Sequence, residues 1–113
     1  MATFTKVKLS GSTDGRGILI AATADPGTTI HTAHATSLDE IWLWACNLNA
    51  SDRQVTVEFG GSGNADLHQI TVPSQSGLIM LVPGLVLTSS VVVKVYAALA
   101  NVVNVIGYVN RIG

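Results

Sequence analysis

The chain has 113 residues, of which 48% are hydrophobic and only 12% are charged, with six Lys and Arg against seven Asp and Glu. Because an average soluble domain is roughly 25% charged, this chain carries about half of the usual complement. The apolar content excludes general disorder, and a near-neutral chain without a basic block argues against nucleic acid as the main partner. These values predict a single domain over residues 1–113, with part of its surface covered by other protein.

The high mean hydropathy of +0.45 does not come from a membrane-spanning segment. The longest uncharged stretch, residues 67–93, is interrupted by two prolines and several polar residues, and its densest apolar part is far shorter than the roughly 20 residues that a bilayer requires. Lys6 and Lys8 have no apolar region behind them, so the N-terminus does not resemble a signal peptide. Cys46 is the single cysteine, which excludes an internal disulfide. We therefore expect no membrane partner, and synthesis in a reducing cytoplasm.

Strand-forming residues dominate the chain. Val, Ile and Thr make up 33 of the 113 residues, and turn residues, including Pro83-Gly84, separate short runs of them. In the run at residues 53–60, Val55 and Val57 are predicted to face inward and Glu58 outward. The spacing predicts an all-β sandwich or barrel of eight or nine strands. In chain order, the predicted strands cover residues 3–9, 17–23, 28–35, 40–49, 53–60, 66–72, 78–82, 90–97 and 102–112.

Two predicted strands are apolar on both faces. In residues 40–49, Ile41 and Leu43 alternate with Trp42 and Trp44, and residues 90–97 show a similar pattern. An antiparallel sheet in a lone sandwich has one solvated face. The second apolar face is therefore covered either by a loop of the same chain or by a sister subunit, and the low charge favours the sister subunit.

Residues that could support catalysis or metal binding are few. His31 and His34 have a spacing found in metal ligands, but three positions along a strand place their rings on opposite faces, and zinc would need further ligands. The chain contains no G-x-S-x-G motif, and the adjacent Asp39 and Glu40 are interpreted as carboxylates that solvate a strand end. The glycines at residues 60–63 precede no Lys-Ser/Thr pair and predict a hairpin loop. We therefore expect no enzymatic activity, no catalytic residue, no metal site and no cofactor.

The remaining candidates concern an interface. Trp42, Trp44 and Tyr96 could form a stacking platform for a sugar or peptide, but their alternation with Ile, Leu and Val favours packing in a core or interface. Arg16 is either an interface anchor, a role in which Arg is enriched, or a solvated charge. Lysines on the first strand could dock on an acidic partner. The candidate interface residues are Lys6, Lys8, Arg16, Trp42, Trp44 and Tyr96.

Three segments resemble small virion proteins of tailed bacteriophages: residues 4–16, residues 26–33 and residues 106–112. The likeness covers nearly the whole chain and consists of turn and strand patterns without a catalytic motif. It implies an antiparallel β-sandwich of jelly-roll-like topology with about eight strands. Its implied function is that of a capsid cement or decoration protein, which is non-enzymatic.

The same resemblance implies partners and a location. Such a protein forms homo-oligomers, expected as trimers, and stabilises the shell by binding the major capsid protein or other virion proteins. Its expected location is the virion, after synthesis in the host cytoplasm. The alternative is a tail, neck or fibre component that acts as a carbohydrate- or receptor-binding module.

Overall fold

Two antiparallel sheets make up residues 3–113, the part of the chain that the computed structural model describes. One three-residue 3-10 helix, Asn64–Asp66, accompanies the strands, and no helix in the described part is long and apolar enough to span a membrane. The strands are β1 (Phe4–Lys8), β2 (Ile18–Leu19), β3 (Thr28–Thr32), β4 (Leu38–Asn47), β5 (Arg53–Phe59), β6 (Leu67–Val72), β7 (Ile79–Leu87), β8 (Val92–Ala97) and β9 (Val103–Ile112).

The strand pairing is that of a nested hairpin. β5 pairs with β6 at its centre, β4 with β7 and β3 with β8 lie further out, and β1 pairs with β9 at the outside. Contacts of β4 with β9 and of β5 with β8 complete a five-stranded sheet, β1-β9-β4-β7 with β2 also on β9, and a four-stranded sheet, β3-β8-β5-β6. This is jelly-roll order, in which two Greek keys make two facing sheets. The predicted antiparallel, jelly-roll-like sandwich is therefore confirmed.

The core lies between the sheets and follows from period-two alternation. On β4, Ile41 and Leu43 are fully buried, and on β5 Val55 and Val57 are equally buried. Successive side chains of a strand point to opposite faces, so each strand contributes every second residue to this core. β8 and β9 supply the matching valines from the centre of each sheet: Val93, Val95, Val103, Val105 and Val109.

One predicted turn is wrong. Pro83 and Gly84 lie inside β7, which continues to Leu87 instead of ending at residue 82. The register between β4 and β7 shifts twice in this region, and Gly84 has a φ of +83°. β7 is an edge strand, where proline costs no ladder hydrogen bond and a bulge accommodates the glycine conformation. The proline and glycine therefore bend a strand without ending it.

Smaller differences concern strand length. The strand expected over residues 17–23 is reduced to the two residues of β2, and β3 ends at Thr32, before the predicted boundary at residue 35. Beyond β3, the chain turns through His34, whose Nδ1 accepts hydrogen bonds from the backbone N–H groups of Thr36 (3.1 Å) and Ser37 (2.9 Å). This side-chain acceptor satisfies donors in the turn and favours an early end to the strand.

Candidate binding surface

The outer face of the five-stranded sheet carries both tryptophans. On β4, Trp42 and Trp44 alternate with buried Ile41 and Leu43 and are half-buried. Cross-strand neighbours on β1, β9 and β7 share the same side of the sheet. We call this surface the aromatic face; it consists of Phe4, Lys6, Lys8, Leu38, Glu40, Trp42, Trp44, Met80, Val86, Ile106, Tyr108 and Asn110.

Trp44 and Tyr108 form the centre of the aromatic face. Their ring centroids are 6.1 Å apart and their planes differ by 24°, which is a stacked arrangement. The Nζ of Lys6 lies 5.4 Å from the Tyr108 centroid, within the range of a cation–π contact. A cavity of about 380 Å³ beside this pair is lined in part by Leu78 and Ile106. The centre is therefore an aromatic surface with one cation at its edge.

Trp42 is held in place by hydrogen bonding and by a glycine. Its Nε1 donates to Glu40 Oε1 at 2.8 Å, and Asn110 Nδ2 donates to the same oxygen at 3.1 Å. The hydrogen bond from Asn110, and after it the one from Trp42, lowers the pKa of Glu40. A Cβ added to Gly84 would lie 2.8 Å from Trp42 Cζ2, so the indole lies directly over the bulge of β7. Trp42 is thus fixed on the surface, and its polar edge is already satisfied.

The close approach of β4 and β9 depends on Gly107. This residue is opposite Leu43 in the register, and a Cβ built on it would collide with the backbone carbonyl oxygen of Trp42. A glycine in a central strand often marks such a contact. Without this approach, the rows that contain Trp42 and Tyr108 could not lie side by side as they do.

Exposed hydrophobic side chains extend the aromatic face toward its borders. Phe4 is 72% exposed, Leu78 is 57% exposed and Val86 is 48% exposed, and Met80 and Leu38 are also exposed. Scattered exposed hydrophobic residues are normal, but a contiguous patch usually marks an interaction site. The aromatic face is contiguous, since its members are neighbours across four paired strands.

The outer face of the four-stranded sheet differs in chemistry. Its outward positions on β5, β6 and β8 are mainly polar and include Thr56, Gln69 and Lys94. Tyr96 lies here, opposite Thr56. The structure therefore separates Tyr96 from the two tryptophans, and the three cannot form one platform. Lys6 and Lys8 do lie on the face of the tryptophans, whereas Arg16 is exposed in the loop between β1 and β2.

Tyr108 is the aromatic partner that sequence reasoning missed. It is separated from Trp44 by 64 positions, and only the β4–β9 register brings it beside the tryptophans. Alternation within residues 102–112 could have placed Tyr108 on the face of Ile106 and Asn110. Nothing in the local sequence indicates that Ile106, Tyr108 and Asn110 would lie beside the tryptophans of β4.

Asp39 lies in a buried ionic network, contrary to its interpretation as a solvating residue. Its side chain is fully buried, and Arg111 contacts it through Nε (2.7 Å) and through the second terminal nitrogen (3.0 Å). His31 Nδ1 accepts from the backbone N–H of Ser10 at 3.0 Å, so Nε2 carries the ring proton and donates to Asp39 at 2.8 Å. Burial alone would raise the pKa of Asp39, but the hydrogen bonds from Arg111, His31 and His34 lower it to about 2.

This network joins the two sheets. Asp39 and Arg111 belong to the five-stranded sheet, and His31 belongs to β3 of the other sheet. The Nδ1 atoms of His31 and His34 both accept backbone hydrogen bonds. Among residues 3–113, no group of three or more His, Cys, Asp or Glu is arranged to hold a metal ion.

Glu58 faces outward as predicted, yet it is 2% exposed. The turn at residues 25–27 covers it, and the backbone N–H of Gly27 donates to Glu58 Oε1 at 2.8 Å. Burial and the neighbouring carboxyl of Asp25 raise the pKa of Glu58. Lys94 is its cross-strand partner on β8. The residue therefore fastens a turn to the sheet instead of presenting a free charge.

Comparisons with protein-family models, with curated proteins and with solved structures found no match.

Proposed function

We propose that this chain is a non-enzymatic structural protein of a bacteriophage particle, of the capsid cement or decoration type. The observation that carries the proposal is the aromatic face, a contiguous surface in which Trp44 and Tyr108 stack at the centre. Aromatic residues are enriched at the centres of protein interfaces. The jelly-roll order of the strands agrees with such a role, since this architecture recurs in viral capsid domains.

The proposed mechanism is stabilisation by burial. Another virion protein, such as the major capsid protein, covers the aromatic face, and the exposed Lys6 and Lys8 at its β1 edge contact acidic groups of that partner. A protein that binds only the assembled shell stabilises that shell by mass action. Because Tyr96 lies on the other sheet, we place it outside this interface.

The test uses shells assembled from the major capsid protein of the particle to which this proposal assigns the chain. The wild-type chain is expected to co-sediment with the shells and to raise the temperature at which they disrupt. A Trp44→Ala/Tyr108→Ala variant that keeps the wild-type circular dichroism spectrum is expected to lose both effects. Tyr96→Ala is the matched aromatic control and should behave as wild type. Shell binding that is unchanged in the double variant would contradict the assignment of the aromatic face.

A second candidate function is carbohydrate binding by a tail, neck or fibre component. The stacked pair of Trp44 and Tyr108, with the polar groups of Glu40 and Asn110 on the same face, favours it, because sugar rings bind on aromatic faces beside hydrogen-bonding groups. A glycan array separates the two functions. Specific binding that Trp44→Ala abolishes, with the fold intact, would support this second function over the first.

A further inference from the structure

β6 is an unprotected sheet edge. It lies at the end of the four-stranded sheet and pairs with β5 alone, through six consecutive residue pairs without a register shift. Its sequence, LHQITV, contains no carboxylate, ammonium or guanidinium group and no proline. Such an edge presents a row of backbone N–H and C=O groups that can template another strand.

The other edge strands longer than two residues are protected in the part of the chain that the structure describes. β1 carries Lys6 and Lys8, and β7 contains Pro83 and two register shifts. The free side of β3 is covered by the loop after β1. Gly11 donates its N–H to Ile30 O at 2.8 Å, and the N–H of Thr32 donates to Ser10 Oγ at 2.8 Å. Charge, proline, bulges and covering loops are the devices by which proteins block edge pairing. β6 has no charge, proline or bulge, and only its last residue, Val72, is covered, since its carbonyl oxygen accepts from Asn47 Nδ2.

An apolar opening lies beside the β6 edge. A cavity of about 190 Å³ is lined by Phe59, Leu81, Val82, Pro83, Leu85 and His68. His68 and Ile70 are opposite Val57 and Val55, so both lie on the inward side of the sheet, where Ile70 is half-buried against the core and His68 is exposed at the opening. A strand added to β6 would place its own inward side chains over this opening. Backbone pairing would thus be accompanied by apolar contact.

We propose that β6 pairs with β6 of a second copy of this chain, antiparallel and across a two-fold axis, to make one continuous eight-stranded sheet from two four-stranded ones. A second copy fits this edge because β6 carries no charge that would oppose itself. In a two-fold contact each residue lies opposite itself or a near neighbour, and like charges directly opposite are destabilising. β6 is free of charged groups over its whole length. The second β6 also brings an inward Ile70 to the apolar opening.

The alternation of faces restricts the register. Inward residues must meet inward residues, because a slip of one position would turn the apolar side chains to solvent. Either Gln69 then lies opposite Gln69, or Ile70 lies opposite Ile70 with Gln69 opposite Thr71. In both registers a lysine pair at positions 69 and 71 would bring like charges together.

The test compares two double variants of the whole chain by sedimentation velocity over a micromolar concentration series. Gln69→Lys/Thr71→Lys adds charge at exposed positions, and Gln69→Ala/Thr71→Ala is the neutral control, which removes the same side-chain contacts, including the bond from Gln69 to Thr56 Oγ1. We expect the wild type and the neutral variant to dimerise. We expect the charged variant to raise the Kd about tenfold or more, since each opposed like-charge pair destabilises the contact.

A second measurement uses the wild type alone and does not depend on the folding of a variant. Hydrogen exchange at the amides of residues 67–72 should slow as the concentration rises into the dimeric range. Monomeric wild type, or a dimer with concentration-independent exchange in β6, would overturn the pairing. This inference goes beyond the proposed function. A trimer that persists in the charged variant would overturn the β6 contact and leave the shell-binding proposal intact. A β6 dimer that does not bind shells would support the β6 contact and contradict the shell-binding proposal.

Discussion

Ionisation of Asp39 should make the free energy of unfolding depend on pH in the acid range. Its pKa is about 2 in the folded protein against an ordinary value of 3.8, and a pKa unit corresponds to about 1.4 kcal/mol. The network therefore contributes about 2 kcal/mol to the free energy of unfolding. Between these two pKa values the unfolded chain binds more protons than the folded chain, so stability rises with pH. The contribution is complete above about pH 5 and is lost as the pH falls through 3.8 toward 2.

The assay is urea unfolding from pH 6 to pH 2 for the wild type and Asp39→Asn. The variant is less stable at neutral pH because it breaks a buried network, and the gap between the two curves should shrink by about 2 kcal/mol on acidification. Asp14→Asn removes an exposed carboxylate from a turn and controls for net charge. If Asp39→Asn does not fold, Arg111→Lys keeps the cation without its two-pronged contact and should move the acid transition to higher pH. Parallel curves for the wild type and Asp39→Asn would show that the network does not lower the pKa of Asp39.

Three further substitutions test other parts of the structure. Glu58→Gln should reduce the loss of stability with rising pH, because the raised pKa of Glu58 makes the folded protein bind more protons than the unfolded chain above pH 4.5. Urea titrations from pH 4 to pH 8 check this. An unchanged slope of the free energy of unfolding against pH would contradict it. Gly107→Ala should lower the melting temperature strongly, since the new Cβ meets the carbonyl of Trp42. Gly63→Ala is the control and should not, because a Cβ there has nothing within 4 Å. Equal melting temperatures for the two variants would show that β4 and β9 can move apart at no cost. Asn47→Ala should lower the free energy of unfolding by about 2 kcal/mol or more, because the buried amide of Asn47 donates to two backbone carbonyls. Chemical denaturation measures this loss. A near-neutral effect would mean that water replaces the amide as the donor.

Local alternation was sufficient to predict the faces of the central strands. Ile41 and Leu43 are buried and Trp42 and Trp44 lie on the other side, because the period of a strand is fixed by its backbone geometry. The same rule predicted the inward Val55 and Val57. These predictions needed no knowledge of neighbouring strands.

Features that depend on register could not be predicted in this way. Arg111 reaches Asp39 across 72 positions of the chain, and Tyr108 reaches Trp44 only because β4 pairs with β9. The same limit explains Asp39 itself, since two adjacent carboxylates at a strand start are usually solvated. Here Arg111 and His31 arrive from other strands and make burial of one of them favourable.

Pro83-Gly84 shows a different limit. The pair is a strong turn signal, and its meaning changed because β7 is an edge strand with a bulge. Whether a strand lies at an edge is a property of the complete sheet. The residues around Pro83 do not determine it on their own.

The nested hairpin also has a consequence for the speed and order of folding. β5 and β6 are joined by a short loop, whereas Phe4 meets Ile112 only after the rest of the chain has been enclosed. Loop-closure entropy grows with the length of chain enclosed, and non-local pairing slows folding. The order of pairing should therefore run outward from the β5–β6 hairpin. Substitutions in that hairpin should slow refolding, and substitutions in β1 should mainly accelerate unfolding, which chevron plots can separate.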